Sequence, residues 1–514
     1  MEAWQIATTI IFFYSLLVIG IGVWAGKIMK KSMEDFYILG RRGSTIVTFL
    51  ATAATYHSAF AFLTSVAVFS TAGVTFWIAA SAWTVLAGIF MYLVGPRIWK
   101  IGKARGHMTP ADMLSDFYDS KALGVITATV MALFIIAYIV VQAVGLGIIL
   151  DVASQGHVPY QWASLVLILV AATYLFLGGL RAAYWTDVLQ GVWMYLGIFV
   201  AAFVIVGKIV PGGFTALMDS VRAVNPKLLT MNWTSQKMLG AILIYGPGLM
   251  LLQQLWIKYY IAKDEKILKT SAVGTAIYLS TYYIAAALIG LSAAVANVKG
   301  IPGVLSPGFI SALKAQYGSA DAVAAVMIYK LLNPVLAGFL LAGAAAAAMS
   351  TLDSFLGSTS MILVRDIYQK HIKPGASEGH YVLVSRAFMI IWALIGWYFA
   401  LLKPGLIFNI ASIACAGGLQ FLPLLLPAIV PTTKRYINRN GAIWGLIVGS
   451  FLAAFLSPQI GGKLGLPVLE HPAVAGLVAV IVNTIVALLI SAITKASERE
   501  LKVMEEYKEV LTKA

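Results

Sequence analysis

Residues 48–70 read TFLATAATYHSAFAFLTSVAVFS, an apolar run long enough to cross a bilayer but broken at its centre by polar side chains. Thr52, Thr55, Tyr56, His57 and Ser58 cluster there, with apolar turns on both sides. A second run, residues 239–260, reads LGAILIYGPGLMLLQQLWIKYY and carries Gly246-Pro247-Gly248 at mid-depth. Proline removes a backbone donor and glycine relaxes the chain, so a local unwinding is expected. The two interruptions lie five spans apart, in helices of opposite direction. Interrupted helices at corresponding positions of two halves are the pattern of an inverted-repeat transporter with a midplane site. Unwound carbonyls there hold a cation, and half-helix N-termini favour an anionic group. A packing kink or a helix-to-helix hydrogen bond would account for either interruption alone; the pair favours transport.

The composition sets the surroundings. The 514 residues are 60% hydrophobic and 11% charged, against about 25% charged in a soluble domain. That excludes a soluble enzyme or a fibrous chain and predicts an all-α polytopic membrane protein. Thirteen spans are expected, at 5–26, 44–72, 74–95, 122–150, 159–178, 185–208, 238–257, 270–296, 331–364, 382–401, 405–430, 440–457 and 471–494. With the N-terminus outside, one set of loops collects Lys27, Lys30, Lys31, Arg41, Arg42, Arg97, Lys100, Lys103 and Arg105. The same side takes Lys258, Lys263, Lys266, Lys269, Lys370, Lys373, Lys434, Arg435, Arg439 and the tail lysines. Positive loops stay cytoplasmic, so the expected topology is N-out, C-in. The net charge of +15 is therefore a topology signal rather than a nucleic-acid footprint. The first span lacks a charged leader and a cleavage site and reads as a retained helix. One cysteine, Cys415, excludes an internal disulfide. The tail KASERELKVMEEYKEV, from Lys495, has amphipathic spacing suited to the cytoplasmic face.

The ninth span carries the chemistry: residues 341–368 read LAGAAAAAMSTLDSFLGSTSMILVRDIY. Ala344 to Ala348 form a smooth surface for close helix approach. Ser350, Thr351, Asp353 and Ser354 follow, with Ser350, Asp353 and Ser354 on one face. A carboxylate at membrane depth costs at least a few kcal/mol, so a functional partner is the default reading. Asp187, near the start of the sixth span, has an ordinary explanation as a first-turn acid favoured by the helix dipole. His57 is the only histidine within a span and sits in an interrupted one. No nucleophile elbow, zinc-protease motif or phosphate loop is present, so no enzyme is expected. Hydroxyls, carbonyls and few carboxylates suit a hard cation such as Na⁺, and a carboxylate near histidine also suits H⁺. Without an ATP motif, uphill transport must draw on an ion gradient.

The stretches GGLRAAYWTDVLQG (178–191), AAMSTLDS (347–354) and QQLWIKYYIAKDEK (253–266), with the thirteen-span plan, closely resemble the sodium/solute symporter family. The resemblance covers about residues 5 to 494. It implies a leucine-transporter-like core of two inverted five-helix repeats, 44–208 and 238–430. A peripheral first helix and loop (1–43), two peripheral helices (431–494) and the cytoplasmic tail (495–514) surround it. Carried over by position, the resemblance implies a Na⁺ site from the carbonyls of Ala54, His57 and Ala347 and the hydroxyls of Ser350 and Thr351. A second Na⁺ or H⁺ site would use Asp187 with Ser350, Asp353 and Ser354, although Asp353 stands where two-sodium members have serine. Gln253 and Asn409 match substrate-touching positions and Trp256 a gating aromatic. Ala61 replaces a polar sugar contact, and ATYHSAFAF is closer to monocarboxylate carriers, in which Ser58 and the His57 imidazole would hold a carboxylate.

The expectation is a multi-pass symporter of the cytoplasmic membrane. Na⁺ drives it, no other cofactor is needed, and its partners are the bilayer and a small organic solute. A monocarboxylate or other small organic acid is preferred. Proton coupling or an amino-acid substrate is the alternative, ahead of a channel or a non-transporting sensor.

Overall fold

The computed structural model describes residues 1–29, 32–403, 405–432 and 434–512. Lys30 and Lys31, placed in the first basic loop, lie outside the described residues, as does the end of the tail. The described chain is all-helical. Polar side chains start many of the helices by accepting a hydrogen bond from the first turn. Ser44 accepts from the Val47 amide, Ser120 from Leu123, Asp264 from Ile267 and Asn333 from Leu336. Such caps satisfy amides that the helix itself leaves without partners.

Among the described residues, nine helices are long and apolar enough to cross a membrane, or eleven when each of two bent pairs is taken as one span. The bent pairs are the two interrupted runs. Thr45–Tyr56 and Phe60–Ala72 meet at 60°, and Ser235–Gly248 and Gln253–Ile261 at 40°. His57 leaves the first half-helix in extended backbone. In the second, Ile244–Gly248 widens into a π-helical turn before the chain breaks at Leu251 and Leu252.

Two boundaries differ from expectation. No loop separates the fifth and sixth expected spans: Tyr160–Ile209 runs as 50 residues of helix with one non-helical residue, Gly179. Its φ of +60° and ψ of −163° belong to glycine alone, and a Cβ there would stand 2.5 Å from the Phe36 ring. The seventh span also runs on to Ile261, so Lys258 is no loop cation; its side chain is 2% exposed.

At the centre stands Pro334–Ile362, every residue of which from Leu340 to Ile362 is buried. A helix covered on all sides has only protein to offer its polar groups, which therefore face other helices. Around it pack the helices Ala3–Ile28, Lys121–Ala153 and Tyr160–Ile209.

The end of the bundle that carries the basic loops is tied by ion pairs. Asp112 receives Arg365 at 2.8 Å and Lys370 at 2.5 Å, and Arg105 joins Asp116 to Glu506 of the tail helix. That amphipathic helix, Glu498–Thr512, buries Val503, Met504 and Tyr507, and the Tyr507 hydroxyl donates to Asp116. Burial alone would raise the Asp112 carboxyl, but the Arg365 and Lys370 charges outweigh it and hold it well below its ordinary range. A depressed carboxyl contributes stability that is complete above its unfolded pKa of ~4 and is lost as pH falls towards the folded value. Thermal unfolding between pH 7 and pH 3 should show wild type losing stability more steeply than Asp112→Asn. Parallel curves would refute this account.

Candidate functional site

Ending a helix releases the carbonyls of its last turn, which have no amide four residues on. At the first break these belong to Ala54, Thr55, Tyr56 and His57. The buried face of Pro334–Ile362 meets them with hydroxyls. Ser350 Oγ lies 3.0 Å from the Ala54 carbonyl and 3.2 Å from that of Ala347. Thr351 Oγ1 lies 3.2 Å from Thr55 O, 3.3 Å from both His57 O and Ala347 O, and 3.4 Å from Ala54 O. The five oxygens expected from the sequence thus come together, and Thr55 O adds a sixth.

Their chemistry is one-sided. Ser350 and Thr351 bring two protons to a group of oxygens with many more lone pairs. Oxygens held ~2.4 Å from a hard cation and at right angles stand about 3.4 Å apart, close to the separations seen here. Neutral dipoles suffice for a monovalent ion, and no carboxylate belongs to this group.

The second expected group divides. Ser350 belongs to the first site. Asp187, 0% exposed, is no helix-end acid: its Oδ2 accepts from Lys258 Nζ at 3.0 Å. The same ammonium donates to Ser354 Oγ at 3.2 Å and lies 4.4 Å from the Tyr184 ring centre. Asp353 stands apart, accepting from Tyr174 OH at 2.7 Å and Thr186 Oγ1 at 3.5 Å, with its other oxygen unpartnered. The burial of Lys258 carries no signal in its own run, WIKYYIAK, which reads as the end of a span.

The expected substrate contacts are also rearranged. The His57 imidazole packs among Tyr278, Tyr282 and Tyr283, at 4.3–5.7 Å between ring centres, and neither ring nitrogen has a partner. Ser58 caps its own helix, accepting from the Phe60 amide, while Gln142 accepts from the Ala59 amide. The Ala59 and Phe60 amides beside the break are therefore taken by protein. Gln253 bonds helix to helix, donating to Thr359 at 3.1 Å, and the Trp256 indole donates to Tyr260. Asn409 is half-buried in the first turn of Ile407–Leu419. Aromatic rings join the two breaks instead. Phe60, Tyr245 and Phe408 stack at 5.2–5.8 Å, Trp83 lies 4.9 Å from Tyr245, and Tyr56 OH donates to the Tyr245 carbonyl. Spread over four distant segments, these rings carry no local signal in the sequence.

This architecture has known counterparts. The chain is 26% identical over 464 residues to Sodium/proline symporter 2 of Staphylococcus saprophyticus, covering 88% of this chain and 85% of the relative. It is 25% identical over 512 residues to the osmoregulated proline transporter OpuE of Bacillus subtilis, covering 96% and 97%. An uncharacterised symporter of Bacillus subtilis, YhjB, is 23% identical over 505 residues, covering 96% and 98%. The fold matches a solved Na⁺-coupled sialic acid symporter with a TM-score of 0.79 at 18% identity, over 96% of this chain and 98% of that one. The model of the sodium:solute symporter family matches residues 36–449, and so the chain belongs to that family of membrane transporters, not of enzymes.

Proposed function

We propose that this protein is a Na⁺-driven importer of a small organic solute bearing a carboxylate, in the cytoplasmic membrane. The observation that carries the reading is the convergence of the Ala54, His57 and Ala347 carbonyls on the Ser350 and Thr351 hydroxyls. These five oxygens hold the coupling ion at the first break, with Thr55 O beside them. Na⁺ there ties the broken helix to the central helix and favours one arrangement of the core. Solute then binds more tightly, since coupling between two sites is reciprocal. Alternating access follows from rocking one helix group against the other.

The proposed topology has thirteen crossings with the N-terminus outside. It counts Tyr160–Ile209 as two at Gly179 and Arg439–Phe455 as one. The two bent pairs open inverted repeats spanning 44–208 and 238–430. The aromatic junction of Phe60, Trp83, Tyr245 and Phe408 suits a compact solute with an apolar body better than a polyol. Relatives named as proline symporters bring proline to the front of the candidates, beside the short monocarboxylates. Asn409, next to Phe408 in the chain, and Gln253 are the polar contacts proposed for it, with Trp256 as the gate.

Thermal unfolding of purified protein in NaCl against matched choline chloride tests the ion, because a ligand bound to the folded state alone stabilises by mass action. Saturable stabilisation specific to Na⁺ is expected, with proline or a monocarboxylate adding to it only when Na⁺ is present. Identical curves in the two salts would remove the reading. Asp353, whose carboxylate no cation touches by hydrogen bond, favours proton coupling as the second reading. In that case stability would follow pH rather than Na⁺, and Asp353→Asn would abolish the dependence.

A further inference from the structure

One helical turn beyond the Na⁺ oxygens, a second set of oxygens gathers. Ser354 lies on the same face as Ser350, four residues on. Its hydroxyl meets the Thr55 hydroxyl at 2.9 Å, and Asp187, from Tyr160–Ile209, is joined to it through the Lys258 ammonium, from which both accept. Thr55 serves both places, since its carbonyl lies 3.2 Å from Thr351 in the first. Two hydroxyls and a carboxylate on three elements suit a monovalent cation. Here a fourth element, the half-helix Gln253–Ile261, delivers the cation itself. An ammonium has three donors, and those of Lys258 are met by Asp187 Oδ2, Ser354 Oγ and the Tyr184 ring face.

We propose that the Lys258 ammonium is a tethered cation filling a second cation site formed by Asp187, Ser354 and Thr55, so that each chain binds one Na⁺ rather than two. The inference rests on the Na⁺-symporter reading above and sets its stoichiometry. A covalently held charge neutralises Asp187 in every cycle but never dissociates, so it draws nothing from the gradient. It also moves with the half-helix that carries it. The first site, built only from neutral dipoles, is left as the one that exchanges its ion with solution. Asp353 is not part of the seat: its contacts are Tyr174 and Thr186, and no hydrogen bond joins it to Lys258.

Equilibrium binding of ²²Na⁺ to the purified full-length protein decides it. Wild type is expected to bind one Na⁺ per chain. Lys258→Ala should bind two, with Lys258→Ala/Ser354→Ala and Lys258→Ala/Asp187→Asn returning to one. Ser350→Ala in the wild-type background should bind that single ion roughly ten- to a hundredfold more weakly. Two ions in wild type, or one in Lys258→Ala with Asp187 retained, would overturn the tethered-cation proposal while leaving the symporter reading intact. No Na⁺ bound by folded wild type would overturn that reading and this proposal with it. Should Lys258→Ala fail to fold, Lys258→Gln removes the charge while keeping a donor for Asp187. It is expected to bind two, and a count of one in it overturns the proposal.

Discussion

Thr351→Ala and Ser350→Ala are each expected to weaken Na⁺ binding roughly ten- to a hundredfold, since a polar contact to a charge is worth about 1.5–3 kcal/mol. The readout is the NaCl concentration giving half-maximal thermal stabilisation. Thr351 should have the larger effect. Its hydroxyl touches four carbonyls, those of Ala54, Thr55, His57 and Ala347, whereas Ser350 touches two. Both variants should fold, because each removes one oxygen and leaves a small residue on a helix already rich in alanine. Thr351→Ser keeps the oxygen and should stay within a few-fold of wild type. Unchanged Na⁺ dependence in both alanine variants would dismiss the site.

The Lys258–Asp187 pair should dominate stability. Its side chains are 2% and 0% exposed, and removing one partner of a buried pair typically costs about 3–5 kcal/mol, because the other charge stays buried and uncompensated. Lys258→Met and Asp187→Leu are each expected to unfold at markedly lower temperature in choline chloride. The double variant Lys258→Met/Asp187→Leu should recover most of the loss, since apolar residues of similar volume replace a buried pair at little cost. A double variant as unstable as the sum of the singles would show that the two charges do not act as a pair. By contrast, a half-exposed bridge such as Lys100–Glu265, at 31% and 29%, should contribute at most ~1 kcal/mol.

The breaks were legible because their causes are local, whereas the oxygens proposed for the first cation site were implied by the family resemblance. Gly246-Pro247-Gly248 cannot sustain a regular helix, and Thr52 to Ser58 interrupt an apolar run. The spacing that aligns Ser350 with Ser354 is set by the helix itself. Lys258 was misassigned for an equally physical reason. Hydropathy places an ammonium at a helix end, where water solvates it, unless a counter-ion is known to wait inside. That counter-ion, Asp187, lies 71 residues away in the chain. By position alone Asp187 reads as a dipole-stabilised acid at a helix start, whereas Tyr160–Ile209 carries it inside one helix beyond the kink at Gly179. His57 and Ser58 were expected to face a solute. Nothing local shows that Tyr278, Tyr282 and Tyr283 enclose the imidazole, or that Gln142 satisfies the Ala59 amide.

By itself, then, the sequence determined that this chain is a helical membrane protein with two broken helices and an oxygen-rich central helix. Composition, span length and backbone chemistry each act within a few turns and need no partner. Only the tertiary structure decided which carbonyls meet which hydroxyls, which carboxylate takes the buried ammonium and which is left without one. A charge inside a membrane is governed by its neighbours in space, and those come from segments far apart in the chain.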